Sequence, residues 1–131
     1  MKDLGGAITS KFSVAPQADD GSSAINGTGV DRRNYRYATA IVMTGATTGS
    51  PTSFTTTGKL QESSDDSTYT DISGATVSLT AANKLGEINV ALSDKARYIR
   101  LVISTDFTGG SSPTVQVAGA IILGGAKELP V

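Results

Sequence analysis

Residues 96–104, ARYIRLVIS, alternate cleanly: Ile99, Leu101 and Ile103 share one face, and Tyr98, Arg100 and Val102 the other. A two-residue period predicts a β-strand, because successive side chains leave a strand on opposite sides. The same period recurs. In residues 37–43, Tyr37, Thr39, Ile41 and Met43 oppose Ala38, Ala40 and Val42, so both faces are expected to be covered at least in part. In residues 54–62, Phe54 and Leu60 oppose Thr55, Thr57, Lys59 and Gln61. Gly58 inside that run points to a bulge or a close backbone approach. Residues 86–92 place Ile88, Val90 and Leu92 together, and residues 114–123 place Val115, Val117, Ile121 and Leu123 together. Weaker alternation marks residues 7–14, 67–72 and 75–80.

Turn formers separate these runs. TGATTGSPTS, SSDDS and DFTGGSSP are rich in Gly, Pro, Ser and Asp, which suit turns by backbone freedom or by side-chain bonds to the local backbone. Residues 15–30, APQADDGSSAINGTGV, hold no period and predict an extended arm or loop. Residues 124–131 read as a short tail. One helical turn is expected in LTAANKLG, with Gly86 as its stop. About eight antiparallel strands with frequent turns predict an all-β fold, a β-sandwich or jelly roll, as one domain over residues 1–131.

Composition sharpens this picture. The chain holds 15 Ser, 17 Thr and 15 Gly. Threonine suits a pleated, half-solvated surface. A net charge of −1 supplies no field that would gather nucleic acid or an anionic membrane. No run approaches the ~18 apolar residues of a membrane span. With no cysteine and no histidine, thiolate sites and every Ser–His–Asp or Cys–His arrangement are excluded. No cofactor, metal or catalytic residue is expected, and the chain reads as a non-enzyme.

KLQESSDDSTYTDISGA, residues 59–75, tests that reading. A calcium loop needs oxygen ligands at positions 1, 3 and 5, Gly at 6 and Glu at 12. Counting from Asp65 puts Tyr69 at 5, Thr70 at 6 and Thr76 at 12; counting from Asp66 puts Asp71 at 6 and Val77 at 12. Both fail, so the stretch is expected to be a solvated turn with Leu60 facing inward, joined by Tyr69 or Ile72. Acid–base chemistry would need two converging carboxylates, one in a setting that raises its pKa. Asp19, Asp20, Asp65, Asp66, Asp94 and Asp106 all fall in stretches expected to be exposed turns. No glycine-rich segment matches a phosphate loop.

The basic cluster Arg32, Arg33 and Arg36, interleaved with Tyr35 and Tyr37, has two readings. It is either a docking patch for an acidic protein surface, since Arg and Tyr are favoured at interface hot spots, or a strand edge with arginines solvated or paired to Asp31. Arg32, Arg33, Tyr35 and Arg36 are the candidate partner-binding residues. Tyr98, Arg100 and Val102 either pack within the sandwich, the simpler reading, or form an oligomer contact.

Two family resemblances follow. LQESSDDSTYTDIS with DKARYIRLVIS resembles discoidin-like and carbohydrate-binding sandwiches at Ser64, Asp66, Tyr69 and residues 96–101. Ser67 stands where that pattern has Gly, and Tyr69 where it has Trp. The second resemblance covers more of the chain. The ordered series GVDRRNYRYATAIVM, GSPTSF, KLQESSD and AIILGGAKELPV is similar to capsid decoration, or cement, proteins of tailed bacteriophages. It implies a virion protein made in the bacterial cytoplasm that sits on the capsid surface. It also implies that the protein binds the major capsid protein, bridges neighbouring subunits and acts as a homodimer or homotrimer. It assigns no site residues. The alternative is a carbohydrate-binding or host-adhesion module of a phage tail or fibre, resting on a loop aromatic such as Tyr69 or Phe107.

Overall fold

The alternating runs form nine strands in a computed structural model that describes residues 7–126. They are β1 (Thr9–Asp19), β2 (Ile25–Asn26), β3 (Val30–Asp31), β4 (Tyr37–Thr48), β5 (Ser53–Ser63), β6 (Thr70–Leu79), β7 (Leu85–Ala91), β8 (Tyr98–Thr108) and β9 (Thr114–Gly124). One sheet runs β1-β9-β4-β7; the other runs β2-β8-β5-β6, with β3 also pairing β8. Every pairing is antiparallel. Counting β2 and β3 as one interrupted strand gives the eight-stranded jelly roll, in which the chain wraps between sheets in two Greek keys. The expected all-β sandwich is therefore the fold.

Inward residues of both sheets meet in one core. Val14, Val42, Val115 and Ile121 from the four-stranded sheet pack with Leu60, Ile99, Leu101 and Ile103 from the other. Gly58 remains in register with Val77 and Ile103, so it is not a bulge. A Cβ there would lie 2.5 Å from Val42 Cγ2. Its glycine lets the sheets approach. Beside this point two buried hydroxyls, Thr56 and Thr105, bond each other at 2.9 Å.

Four expectations change. Residues 15–30 are not a free arm. β1 continues through Pro16 to Asp19 on the sheet edge, where a residue without an N–H is tolerated. Beyond it β2 and β3 clip onto β8, and Ser13 fixes the crossing: its hydroxyl donates to Thr28 O at 2.9 Å and accepts Leu101 N at 2.9 Å. The helical turn expected near residues 79–86 does not form. Asn83 takes φ +57°, and the Thr44 hydroxyl holds the loop by donating to Ala81 O at 2.7 Å and accepting Lys84 N at 3.0 Å. Residues 67–72 and 75–80 contribute to one strand, β6, which contains Gly74 at φ +77°. Tyr98 and Arg100 lie on the outer face of the five-stranded sheet, not inside the sandwich. Val102, whose register partners are Lys59 and Asn26, is buried on that outer side. The expected tail over 124–131 falls largely outside the described residues.

Candidate functional site

The β3–β4 connection carries the basic cluster. Arg32 O accepts Tyr35 N at 3.0 Å, closing a turn in which Asn34 adopts φ +83°. Asparagine tolerates this left-handed conformation better than most residues. Asp31 holds the turn from the other side, accepting Arg33 N at 3.0 Å. Its second oxygen accepts Arg97 Nη2 at 2.8 Å and Nε at 3.2 Å. The Arg97 hydrogen bond keeps the Asp31 carboxyl below the usual carboxylate range.

The four candidate residues separate into distinct roles. Arg32 is committed to the fold: Nε donates to Ala96 O at 2.9 Å and Nη2 to Lys95 O, tying down the β7–β8 turn. Tyr35 is buried, its hydroxyl 2.6 Å from Thr9 Oγ1. Arg36 uses its backbone, donating N–H to Gly124 O and accepting Leu92 N–H. Its exposed guanidinium makes one long bond, 3.4 Å, to Ala126 O. Arg33 points away and faces Asp31 at 3.9 Å. The solvated-or-paired reading thus describes Arg33 and Arg36, and not Arg32, which is committed to backbone carbonyls.

Arg32, Tyr35 and Arg36 line one cleft of 260 Å³ with Tyr37, Ala91 and Ser93. Tyr37, interleaved in the basic cluster by sequence, is 59% exposed and lines the cleft. Ala91 and Ser93 carried no signal in the sequence, because the β4–β7 pairing brings them there. An exposed guanidinium beside an exposed phenol suits a carboxylate attached to a flat or apolar group. Arg32 and Tyr35 form a rigid floor, and Arg36 and Tyr37 present the chemistry.

The acidic stretch is a turn. Asp65 Oδ1 accepts the backbone N–H of Thr68 at 3.0 Å, the Ser63 hydroxyl at 2.8 Å and the N–H of Ser67 at 3.0 Å. These bonds, the Thr68 one foremost, hold its carboxyl below the usual range. Tyr69 donates its hydroxyl to Asp66 Oδ1, and the Arg100 guanidinium lies 4.1 Å from its ring centroid. Burial, then the Asp66 bond, raises the Tyr69 pKa. Leu60 and Ile72 face the core. Phe107 packs on Phe54 with ring centroids 6.0 Å apart. Both aromatics named for the glycan reading are therefore already engaged. Among the described residues no three Asp or Glu side chains gather as metal ligands.

Asp19 departs from its expected exposed turn. It closes β1, is 2% exposed, and accepts Gly21 N at 2.9 Å through Oδ1. Oδ2 has no partner among the described residues. Alternation along β1 turns it inward opposite Val115.

No family model matches this sequence, and no curated protein matches it. Solved structures do. The chain is similar to PBSX exported protein XepA, with a TM-score of 0.65 and 20% identity over all of this chain. It spans 41% of the length of that protein. It is also similar to SPBc2 prophage-derived protein YomS, with a TM-score of 0.51 and 14% identity, over 88% of this chain and 92% of that one. What is shared is the fold.

Proposed function

We propose that this protein is a non-enzymatic virion structural protein that binds the outside of a tailed-phage capsid and bridges neighbouring capsid subunits. The observation that carries the reading is the cleft of Arg32, Tyr35, Arg36 and Tyr37 on a cross-braced jelly roll. That is an attachment site with a rigid floor and two exposed hot-spot residue types. Its partner is an acidic segment of the major capsid protein, whose carboxylate Arg36 accepts. The similarity to a PBSX exported protein and to an SPBc2 prophage-derived protein supports a phage setting.

The mechanism is linkage. A protein that spans two subunits binds only the lattice state that presents both halves of its site, and so stabilises that state. Repeated contacts across the lattice multiply the effect. The protein is made in the host cytoplasm and acts on the capsid surface.

The test is co-sedimentation with expanded capsids of the encoding phage, against free capsid subunits and a glycan array. Saturable, stoichiometric capsid binding is expected, with Arg36→Glu weakening it at least tenfold. Equal binding to free subunits, or glycan binding without capsid binding, refutes the reading.

A further inference from the structure

We propose that Asn26 is a site of spontaneous covalent modification, that the crossing of β2 and β3 onto β8 controls its rate, and that the isoaspartate product releases that crossing. Asn26 is the one asparagine of the chain followed by glycine; Asn34, Asn83 and Asn89 precede Tyr35, Lys84 and Val90. The side-chain amide carbon of an asparagine is open to attack by the backbone nitrogen of the next residue. Attack is easiest where that residue has no Cβ to obstruct it. The Gly27 nitrogen forms a bond to Asn26 Cγ, the Cγ–Nδ2 bond breaks, and ammonia leaves with the proton that the nitrogen gives up. Water then opens the resulting cyclic imide at either carbonyl. One opening leaves aspartate. The other leaves isoaspartate, whose main chain runs through the former side chain. The net change is amide plus water to carboxylate plus ammonium.

The fold itself demands glycine after Asn26. A Cβ on residue 27 would meet Ser13 Oγ and lie 2.5 Å from Leu101 O, so β1 and β8 hold the crossing too close for any side chain. Asn26 is exposed, in register with Val102. The contacts that demand the glycine also restrain its nitrogen. Gly27 N donates to Leu101 O at 2.8 Å, and Thr28 N donates to Ser13 O at 2.7 Å. The Ser13 hydroxyl adds its bonds to Thr28 O and Leu101 N, each 2.9 Å. A nitrogen held on Leu101 O keeps its proton and cannot swing onto Cγ of a residue extended in β2. The reaction therefore runs through openings in which this clip lets go. β2 and β3 are two residues each, so such openings cost less than global unfolding. The product acts back on the clip. Isoaspartate lengthens the main chain by one atom between the Ile25–Ile103 pair and the Gly27–Leu101 bond, so the two no longer fit β8 together. Aspartate leaves that spacing intact.

This chemistry is independent of the cleft, so its test does not rest on capsid binding. The test is peptide-mapping mass spectrometry of the full chain after incubation near neutral pH, folded in buffer and unfolded in urea. In urea, Asn26 should convert ahead of Asn34, Asn83 and Asn89. In the folded chain its conversion should be at least about tenfold slower. Ser13→Ala removes two bonds of the clip and should speed conversion in the folded chain about tenfold, with unchanged circular dichroism. Should that variant not fold, the unaltered chain in urea below its unfolding transition replaces it, and its rate should climb as urea is added. The isoaspartate form, separated from the aspartate form, should melt below Asn26→Asp. Equal rates folded and unfolded, another asparagine converting first in urea, a folded-state rate indifferent to Ser13→Ala and to urea, or an isoaspartate form that melts with Asn26→Asp overturns the inference.

Discussion

Replacing Gly58 by alanine puts a methyl group where the two sheets come closest. The new Cβ would lie 2.5 Å from Val42 Cγ2 and 3.3 Å from Val42 Cγ1. Val42 is fully buried and β-branched, so it has no free rotamer into which to retreat. Overpacking of this kind destabilises by about 1–3 kcal/mol. Loss of unfolded-state freedom at the former glycine returns about 0.4–1 kcal/mol. The net loss should be about 1–2 kcal/mol, or a fall in Tm of roughly 3–8 °C at this chain length. Val42→Ala alone should cost about 2 kcal/mol, from two methyl groups and the cavity they leave. The double variant decides the matter. If the methyl group added at position 58 occupies the space vacated at Val42, the two changes couple favourably by about 1–2 kcal/mol. Urea unfolding of all four proteins measures this. Strict additivity, or a stabilising Gly58→Ala, would refute the claim that glycine is required here by the opposite sheet.

The buried hydroxyl pair makes a second prediction. Thr56→Val should cost about 1–3 kcal/mol by leaving Thr105 without its partner, whereas Thr56→Val with Thr105→Val should be close to neutral in the same unfolding assay. Leu60→Ala, at a position with no exposure, should cost about 2–5 kcal/mol, and a loss below 1 kcal/mol would contradict the core described here. Acid sensitivity follows from Asp31 and Asp65, whose folded pKa values lie below the unfolded value of about 3.9. Stability linked to such groups is complete above the unfolded pKa and lost as pH falls through the folded one. The Tm should therefore hold from neutral pH to about pH 5 and decline below about pH 4; a rise on acidification would reverse the assigned sign. Asp31→Asn should reduce that decline.

Strands with an inward apolar residue at every second position were legible, as β4, β8 and β9 show. Their identity needs only the chain itself. What tertiary structure decides was not legible. β2 and β3 are two residues each, too short for any period, and exist because both pair with β8, while Gly27 and Thr28 between them donate to Leu101 O and Ser13 O. The pattern divides β6 in two because Gly74 looks like a turn, yet its positive φ is absorbed within a continuing strand. Asp19 looks like a loop carboxylate because Asp20, Gly21 and Ser22 follow it; only pairing with Val115 shows its inward direction. At the cleft, Arg32 and Arg36 carry the same charge in sequence. The position of the β7–β8 turn makes one a brace and leaves the other available.

The place of β9 has a consequence for how the protein is made. β9 is ninth of the described strands in sequence but lies between β1 and β4 in space. A ribosome adding about 5–20 residues per second completes β4 several seconds before β9 emerges. Throughout that interval β1 and β4 each carry an edge that only β9 can fill. Nascent chains should therefore be most vulnerable to aggregation while stalled just upstream of Thr114, and synonymous codon changes that slow translation there should lower soluble yield without altering the finished protein.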